Sequence, residues 1–154
     1  MQTGISLASA QSGKAANQLC TFFVDNLFFG VDVLNVQEVL RFQHMTRVPR
    51  APQVIEGLIN LRGQIVTALD MRRRLRLSPR GEDEAPMNVV IRRTDGVVSL
   101  LVDEIGDVLQ VDAANYEEPP NNLDSETRKI VKSVYKLNDR LLLVLDEDRT
   151  VTLT

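Results

Sequence analysis

The side chains that most often carry acid–base or metal chemistry are rare in this chain. Its 154 residues include one histidine, His44, and one cysteine, Cys20. A zinc site, or a nucleophile with its base, needs several such groups close together. His44 stands in the polar segment RFQHMTR, which is typical of a solvent-exposed loop. We therefore predict that neither residue forms a metal site or a catalytic pair.

Carboxylates are concentrated in two short runs, residues 81–84 (GEDE) and residues 146–149 (DEDR, closed by an arginine). Neither run has the alternating ligands and distal glutamate of a calcium loop. A glycine-rich phosphate loop is absent, and residues 94–96 (TDG) join two apolar runs as a hairpin turn does. The sequence thus predicts no bound metal, nucleotide or organic cofactor, and no enzyme activity.

One arginine cluster could bind phosphate groups. It consists of Arg72, Arg73, Arg74, Arg76 and Arg80. No aromatic residue is interleaved with these arginines to stack on bases, and acidic residues follow at once. A charged surface between two folded units explains the cluster, but a small β-barrel that binds nucleic acid or a ligand through it stays the alternative. The net charge of −3 gives the whole chain no attraction to nucleic acid or anionic membranes.

The elements that position these groups are predicted to be short strands. From residue 19 onward the apolar runs are brief and separated by polar clusters, which predicts a mostly β protein. Aromatic residues make up only 5% of the chain, so the core must be aliphatic. Residues 35–41 and 71–75 are predicted to form a helical turn or two each. The predicted strands are residues 19–24, 27–31, 57–61, 64–69, 88–93, 97–102, 108–112, 130–137 and 140–145.

Two segments recur in the same order, which indicates an internal duplication. Residues 57–71 (GLINLRGQIVTALDM) align without gaps with residues 133–147 (SVYKLNDRLLLVLDE). This alignment pairs Gly57 with Ser133. A looser match sets residues 31–40 (VDVLNVQEVL) against residues 102–111 (VDEIGDVLQV).

The two copies are separated by the polar linker at residues 78–86. Each copy holds four or five short strands, a size that suits a small barrel. We expect two barrels packed side by side, the first at about residues 18–77 and the second at about 87–150, with terminal strands free to be exchanged between them.

The segment INLRGQIV, residues 59–66, predicts a hairpin with Arg62 and Gly63 as its two-residue loop. Both faces of this hairpin are largely apolar, so the second face is covered either by the other barrel or by another protein. A positive φ angle is expected at Gly63 alone. Turn chemistry does not require an arginine, so we predict that Arg62 forms an ion pair with Glu38 beside the apolar face.

The single cysteine excludes an internal disulfide and suits a reducing compartment, which predicts a cytoplasmic protein. Residues 1–17 are mostly small and polar and lack the layout of a signal peptide or a membrane span. We expect them to form a flexible N-terminal tail that precedes a domain at residues 18–150.

Four segments closely resemble the family of chemotaxis coupling proteins known as CheW. They are VDVLNVQEVLR (residues 31–41), TRVPRAPQVIEGLINLRGQIV (46–66), LLVDEIGDVL (100–109) and LLLVLDED (141–148). The long second segment is the most specific, because its prolines, Glu-Gly pair and Asn-Leu-Arg-Gly run match in order and spacing. The chain departs from the family pattern at Thr67, Ser99 and Ser133, and the last two could alter the fit of partners.

The resemblance implies two intertwined five-stranded barrels similar to SH3 domains. It also implies a non-enzymatic adaptor, monomeric when free and without nucleic-acid binding or membrane insertion. Such an adaptor docks on the regulatory domain of the histidine kinase CheA and on the cytoplasmic tips of chemoreceptors, so that it is recruited to membrane-associated receptor arrays. In this way receptor state controls kinase autophosphorylation.

Functional positions are carried over from the family residue by residue. The residues that the resemblance assigns to the kinase contact are Val36, Glu56 and Gly57, with Glu117, Asn122 and Leu123 in a second contact from the other barrel. The residues that it assigns to the receptor are Val33, Glu38, Arg62 and Val108.

Overall fold

The computed structural model describes residues 17–152, and strands dominate this part of the chain. The strands are β1 (Asn17–Val24), β2 (Leu27–Asp32), β3 (Val36–Leu40), β4 (Ile55–Leu61), β5 (Gln64–Asp70), β6 (Met87–Arg93), β7 (Gly96–Val102), β8 (Glu104–Val111), β9 (Tyr116–Glu117), β10 (Val131–Lys136) and β11 (Leu141–Leu145). The helices are α1 (Met71–Arg74), α2 (Ser125–Ile130) and α3 (Glu147–Val151), with 3-10 turns at Val33–Asn35 and Ala113–Asn115. The prediction of a mostly β protein with short helices is confirmed. The predicted tail, apart from Asn17, lies outside the described residues.

The strands form two sheets, and each sheet draws strands from both halves of the chain. The six-stranded sheet has the order β8-β1-β2-β11-β10-β9, and the five-stranded sheet has the order β3-β6-β7-β5-β4. Two pairings are parallel, β2 with β11 and β5 with β7. The predicted boundary between the barrels falls between β5 and β6, which both belong to the five-stranded sheet. The two units are therefore intertwined rather than consecutive.

Within residues 17–152 neither sheet is closed by a ladder between its end strands, so the expected barrels are open sheets. We call the connection from β3 to β4, residues 41–54, the arm. It touches the end strand β4 at one isolated bridge, where the backbones of Thr46 and Leu58 exchange hydrogen bonds of 2.9 and 2.8 Å. Pro49 and Pro52 follow, and a proline lacks the N–H that a longer ladder would need.

The repeated segments occupy equivalent places in the two sheets. The hairpins β4–β5 and β10–β11 each lie beside a parallel partner strand, and β3 and β8 are both end strands. Asp70 and Asp146, paired in the alignment, each cap the helix that follows, because their carboxylates accept hydrogen bonds from the backbone N–H groups of Arg72 and Arg149.

Some predicted elements were wrong or incomplete. Residues 35–41 were predicted to be helical, yet Val36–Leu40 is strand β3, because its backbone pairs with β6 and tertiary pairing outweighs local preference. Strand β9 and helices α2 and α3 were not predicted, since each is short and carries little apolar periodicity. Among the described residues, no helix is long and apolar enough to cross a membrane.

Three groups of buried side chains hold the sheets together. The largest, the shared core, takes residues from both sheets, including Phe22 and Phe29 from the six-stranded sheet and Val89 and Leu100 from the five-stranded sheet. A smaller group, the five-stranded core, lies on the opposite face of the five-stranded sheet and comprises Ile59, Leu61, Val66, Ala68, Val90 and Leu101. Its counterpart, the six-stranded core, comprises Leu19, Phe28, Val111, Leu142 and Val144. Each sheet is thus covered on both faces, as the apolar hairpins required.

Candidate functional site

The hairpin β4–β5 has the predicted register, with Leu61 opposite Gln64 at the loop of Arg62 and Gly63. Both loop residues have positive φ angles, 50° at Arg62 and 90° at Gly63. The expectation of a positive φ at Gly63 alone was therefore wrong. A two-residue loop with positive φ at both positions matches the twist of its strands and favours Asn, Asp or Gly. An arginine at the first position accepts a strained backbone conformation.

The predicted ion pair between Arg62 and Glu38 is confirmed. Glu38 is on β3 and Arg62 follows β4, so the pair links the two end strands of the five-stranded sheet. The Glu38 side chain is 21% exposed, whereas that of Arg62 is 68% exposed. Gln37 also donates to the Glu38 carboxylate, at 3.4 Å. The pair therefore presents charge at the surface beside the five-stranded core.

A row of paired residues crosses the five-stranded sheet on the face toward the shared core, with Ile91 buried and its neighbours in the row half-buried. Val36 pairs with Ile91, Ile91 with Val98, and Val98 with Thr67. Ile65 lies on the same face of β5 as Thr67, and it is 60% exposed. The second apolar face of the hairpin is thus covered by the other sheet along most of its length and open to solvent at its tip.

Two predicted receptor residues lie apart from the Arg62–Glu38 pair. Val33, in the 3-10 turn before β3, is only 8% exposed, so its side chain offers little surface to a partner. Val108 is half-buried on β8 and pairs with Cys20 of β1 in the other sheet. Burial raises the pKa of the Cys20 thiol to about 11, which keeps this thiol protonated at neutral pH.

Gly57, predicted to contact the kinase, is buried. A Cβ atom built there would lie 2.7 Å from the carbonyl oxygen of Thr46, closer than real Cβ atoms come. The glycine is therefore required because the arm crosses directly over β4. Its neighbour Glu56 is half-buried and pairs with Arg73 at 3.2 Å. A partner at this position meets the arm and Glu56 rather than Gly57 itself.

The second predicted kinase contact lies in the six-stranded half of the protein. Glu117 is exposed on the end strand β9, and Asn122 is exposed in the following loop. Leu123 is half-buried and packs against the shared core. The loop is held where Arg128 donates to the Pro120 carbonyl at 2.8 Å. These residues form one exposed edge, separate in sequence and sheet from Glu56.

The departures from the family pattern differ in their consequences. Ser99 is fully buried, and its hydroxyl donates to the side-chain oxygen of Asn88 at 2.8 Å. Asn88 in turn donates to the Arg41 carbonyl at 3.1 Å. Ser99 therefore acts through packing and cannot touch a partner directly. Thr67 and Ser133 are half-buried.

The arginines of the cluster form contacts within the protein. Arg72 donates to both carboxylate oxygens of Asp103, at 2.8 to 3.1 Å, and Arg80 donates to the same carboxylate at 2.9 Å. Burial raises the pKa of Asp103, but the hydrogen bonds from Arg72, from the Asp25 backbone and from Arg80 outweigh it, so the pKa lies below its ordinary value. Hydrogen bonds from Arg72 raise the pKa of that guanidinium in turn.

The remaining arginines of the cluster also have acidic or carbonyl partners. Arg74 donates to the carbonyls of Thr150 and Arg149, at 2.9 and 3.0 Å, while Arg76 lies 3.7 Å from Glu126. These contacts leave little free charge for a phosphate. Within residues 17–152 no three His, Cys, Asp or Glu side chains come together as a metal site would require.

The sequence profile of the CheW-like domain matches residues 18–153 of the chain. The chain belongs to the CheW-like domain family. It is 27% identical over 150 residues to chemotaxis protein CheW of Klebsiella aerogenes, covering 97% of this chain and 90% of that protein. It is 29% identical over 133 residues to chemotaxis protein CheW of Bacillus subtilis, covering 86% and 85%.

A solved structure of the family has the same fold. The CheW-like domain is similar to the scaffolding protein TtCheW from Thermoanaerobacter tengcongensis, with a TM-score of 0.75 and 25% sequence identity. The similarity covers 84% of this chain and 88% of that chain. It extends over both sheets, so the intertwined arrangement belongs to the fold as a whole.

Sequence reasoning missed two features of this CheW-like domain. Asp103 lies in a segment quoted for the family resemblance, but no partner was assigned to it, because its partners Arg72 and Arg80 are distant in sequence. The prolines of the arm contributed to the family resemblance, but no role was assigned to the arginines that the arm carries. The Arg47–Arg50 spacing around Pro49 was the available signal.

Proposed function

We propose that this protein is a non-enzymatic adaptor of chemotaxis signalling that couples chemoreceptors to the histidine kinase CheA. The observation that carries the proposal is the match of a CheW-like domain to residues 18–153, together with similarity to a scaffolding protein over both sheets. The adaptor binds its partners and sets their positions, and it is recruited from the cytoplasm to membrane-associated receptor arrays.

The two contacts proposed for the kinase are on different sheets. The first comprises Val36 and Glu56 with the arm above Gly57, and the second comprises Glu117, Asn122 and Leu123. Two separated contacts on one rigid body resist rotation of a partner better than a single contact does. The shared core supports this proposal because it joins both sheets.

The proposed receptor surface is centred on the ion pair between Glu38 and Arg62, and it also includes Val33 and Val108. Arg62 and the exposed Ile65 both lie at the tip of hairpin β4–β5, and protein interfaces commonly combine charged and apolar side chains. An exposed hairpin tip with both kinds of side chain supports the docking of a receptor there.

Co-sedimentation tests the adaptor proposal directly. Membranes carrying chemoreceptors are mixed with the protein and with a CheA-type kinase, then pelleted, and kinase autophosphorylation is measured with and without receptor ligand. We expect the protein to pellet with receptor and kinase and to place kinase activity under receptor control. Receptor control that is equally strong without the protein would refute the proposal.

A further inference from the structure

Three arginines of the arm lack the internal partners that the other arginines have. Within residues 17–152, Arg41, Arg47 and Arg50 form no ion pair and their side chains donate no hydrogen bond. The other arginines do one or both; they are Arg62, Arg72, Arg73, Arg74, Arg76, Arg80, Arg92, Arg93, Arg128, Arg140 and Arg149. Among the arginines, the charge that forms no internal contact is therefore concentrated in one short segment, whereas, in the same part of the chain, the lysines without such contacts, Lys132 and Lys136, lie on β10.

Two of these arginines line a cavity of about 580 Å³ under the arm. Arg73 also lines this cavity. The only carboxylate among the residues that line the cavity is that of Glu56, and it already pairs with Arg73 at 3.2 Å. Arg47 and Arg50 thus give the cavity an excess of positive charge. Apolar side chains complete the wall, and among them Val48 is 37% exposed.

Hydrogen bonds to the backbone of the arm hold the cavity in shape. Thr46 is fixed by its bridge to β4, the Ala51 N–H donates to the Val48 carbonyl at 3.3 Å, and Arg73 donates to the Gln53 carbonyl at 2.9 Å. The prolines of the arm restrict its φ angles further. A preformed cavity avoids much of the ordering entropy that binding otherwise costs.

We propose that this cavity binds an acidic protein segment that also presents an apolar side chain. Guanidinium groups on either side of a proline suit carboxylates, which accept paired hydrogen bonds from arginine. The apolar wall at Val48 suits an aliphatic side chain between those carboxylates. A nucleic acid fits less well because no aromatic side chain lines the cavity for bases to stack on.

The arm and Glu56 belong both to this cavity and to the first proposed kinase contact, but the inference rests on the charge and geometry of the cavity alone. An acidic segment on any partner of the adaptor would satisfy it. Testing the cavity with an isolated peptide therefore keeps the two proposals separate. A failure here leaves the adaptor proposal standing, and a failure of receptor control leaves this cavity standing.

The probe is a fluorescein-labelled peptide in which glutamate alternates with leucine, and binding is followed by fluorescence anisotropy. The parent protein should bind it, with affinity that falls as salt concentration rises. Arg47→Ala with Arg50→Ala should weaken binding by about tenfold or more. Arg76→Ala is the matched control, because this side chain is 78% exposed and lies outside the cavity. The control should bind like the parent.

Melting followed by circular dichroism verifies that the double variant is folded. A peptide with glutamine in place of glutamate should bind much more weakly than the probe. The proposal is overturned if the parent does not bind the probe, if the double variant binds as the parent does, or if the glutamine peptide binds equally well. Tighter binding of a single-stranded oligonucleotide through the same two arginines would also overturn it.

Discussion

The hairpins β4–β5 and β10–β11 are equivalent in sequence and position, yet the contacts at their tips and at their bases differ. At the tip of β4–β5, Arg62 has a positive φ and pairs with Glu38 across the sheet. At the tip of β10–β11, the Leu137 N–H donates to the Arg140 carbonyl at 2.9 Å, and the Arg140 guanidinium lies over the rings of Phe23 and Phe28, 5.4 and 4.8 Å from their centres.

The base of each hairpin differs as well. Gly57 of β4 lies under the arm, which approaches so closely that no side chain fits. Ser133, its counterpart on β10, is half-buried beside a register shift and carries a side chain without difficulty. The strands preserve the duplicated pattern because both bury aliphatic faces. The turns and edges diverge because each meets a different neighbour.

The helices that follow the hairpins repeat this contrast in their ion pairs. After β5, Arg72 of α1 joins Asp103, and the two side chains are 15% and 16% exposed. After β11, Asp148 of α3 joins Arg93 at 2.9 Å, but the Asp148 side chain is 79% exposed. In the first pair the helix contributes the arginine, and in the second pair it contributes the aspartate. Of these two pairs, only the first is shielded from water.

Gly57→Asp should have the largest effect on stability. The new side chain meets the Thr46 carbonyl and places a charge in a buried position, so we expect a loss of at least about 3 kcal/mol in the free energy of unfolding. Ser133→Asp, at the equivalent position, should cost about 1 kcal/mol or less. Urea denaturation of both variants measures the difference. Equal losses would show that the arm does not set the requirement for glycine.

Reduced kinase binding by Gly57→Asp would follow from this damage to the fold. Binding therefore has to be compared at a temperature where the variant is folded. If a stable Gly57→Asp protein failed to bind the kinase, Gly57 would have to be part of the interface, although it is buried in this structure.

Asp103→Asn should be the next most damaging change. It removes the nearest carboxylate from the guanidinium groups of Arg72 and Arg80, which are largely shielded from water, and we expect a loss of about 2 kcal/mol. The carboxylates that remain are more distant, Asp25 at 3.9 Å from Arg72 and Asp70 at 3.5 Å from Arg80. Asp148→Asn, the matched change in the exposed pair, should cost no more than about 1 kcal/mol. Thermal melting at one pH and salt concentration tests both. A larger loss for Asp148→Asn would contradict the contrast between shielded and exposed pairs.

Acid should destabilise the protein through Asp103 and Asp146. Burial raises the pKa of Asp146, but the N–H and guanidinium of Arg149 outweigh it, so both carboxyls titrate below the ordinary value of 3.8. The unfolded chain then binds more protons than the folded chain, and their contribution is present above pH 4 or so and is lost as the pH falls further.

Denaturation midpoints measured from pH 6 down to pH 2.5 should show this loss, with a shallower dependence in Asp103→Asn. If stability fell with pH equally steeply in that variant and in the parent, Asp103 would not contribute to the acid sensitivity. The substitution is informative because the stability contributed by Asp146 stays in place as an internal reference.

Arg62→Ala should change stability least, by at most about 1 kcal/mol, because the ion pair is exposed and alanine, which also has a Cβ atom, leaves the strain at the positive φ unchanged. Its effect should appear in receptor control of the kinase. Glu38→Ala should give a similar defect, with the double variant little worse than either. Arg62→Lys is the control for charge, and Arg62→Asn keeps a residue that suits the turn.

Reconstituted arrays at matched protein concentrations measure this defect. Full receptor control by Arg62→Ala would confine the arginine to a structural role at the tip. Full control by Arg62→Asn together with loss in Arg62→Ala would assign the effect to the turn rather than to the charge.

The amino-acid sequence by itself determined most of the strands, though not β3 and β9, as well as the duplicated hairpins and the pairing of Arg62 with Glu38. Alternating apolar residues and turn residues act over a few neighbours, so their consequences can be predicted locally. The register of β4–β5 followed from the two-residue loop. Family resemblance added the intertwined arrangement, which spacing alone did not predict.

The tertiary structure decided which strands join which sheet, where the arm crosses and which charges are shielded. Strand β3 replaced a predicted helix because β6 lies beside it, and Gly57 became essential because Thr46 approaches from outside its own strand. The Arg72–Asp103 pair joins residues 31 positions apart. Such contacts depend on how the chain folds back on itself, and no local pattern in the sequence encodes the distance between their atoms.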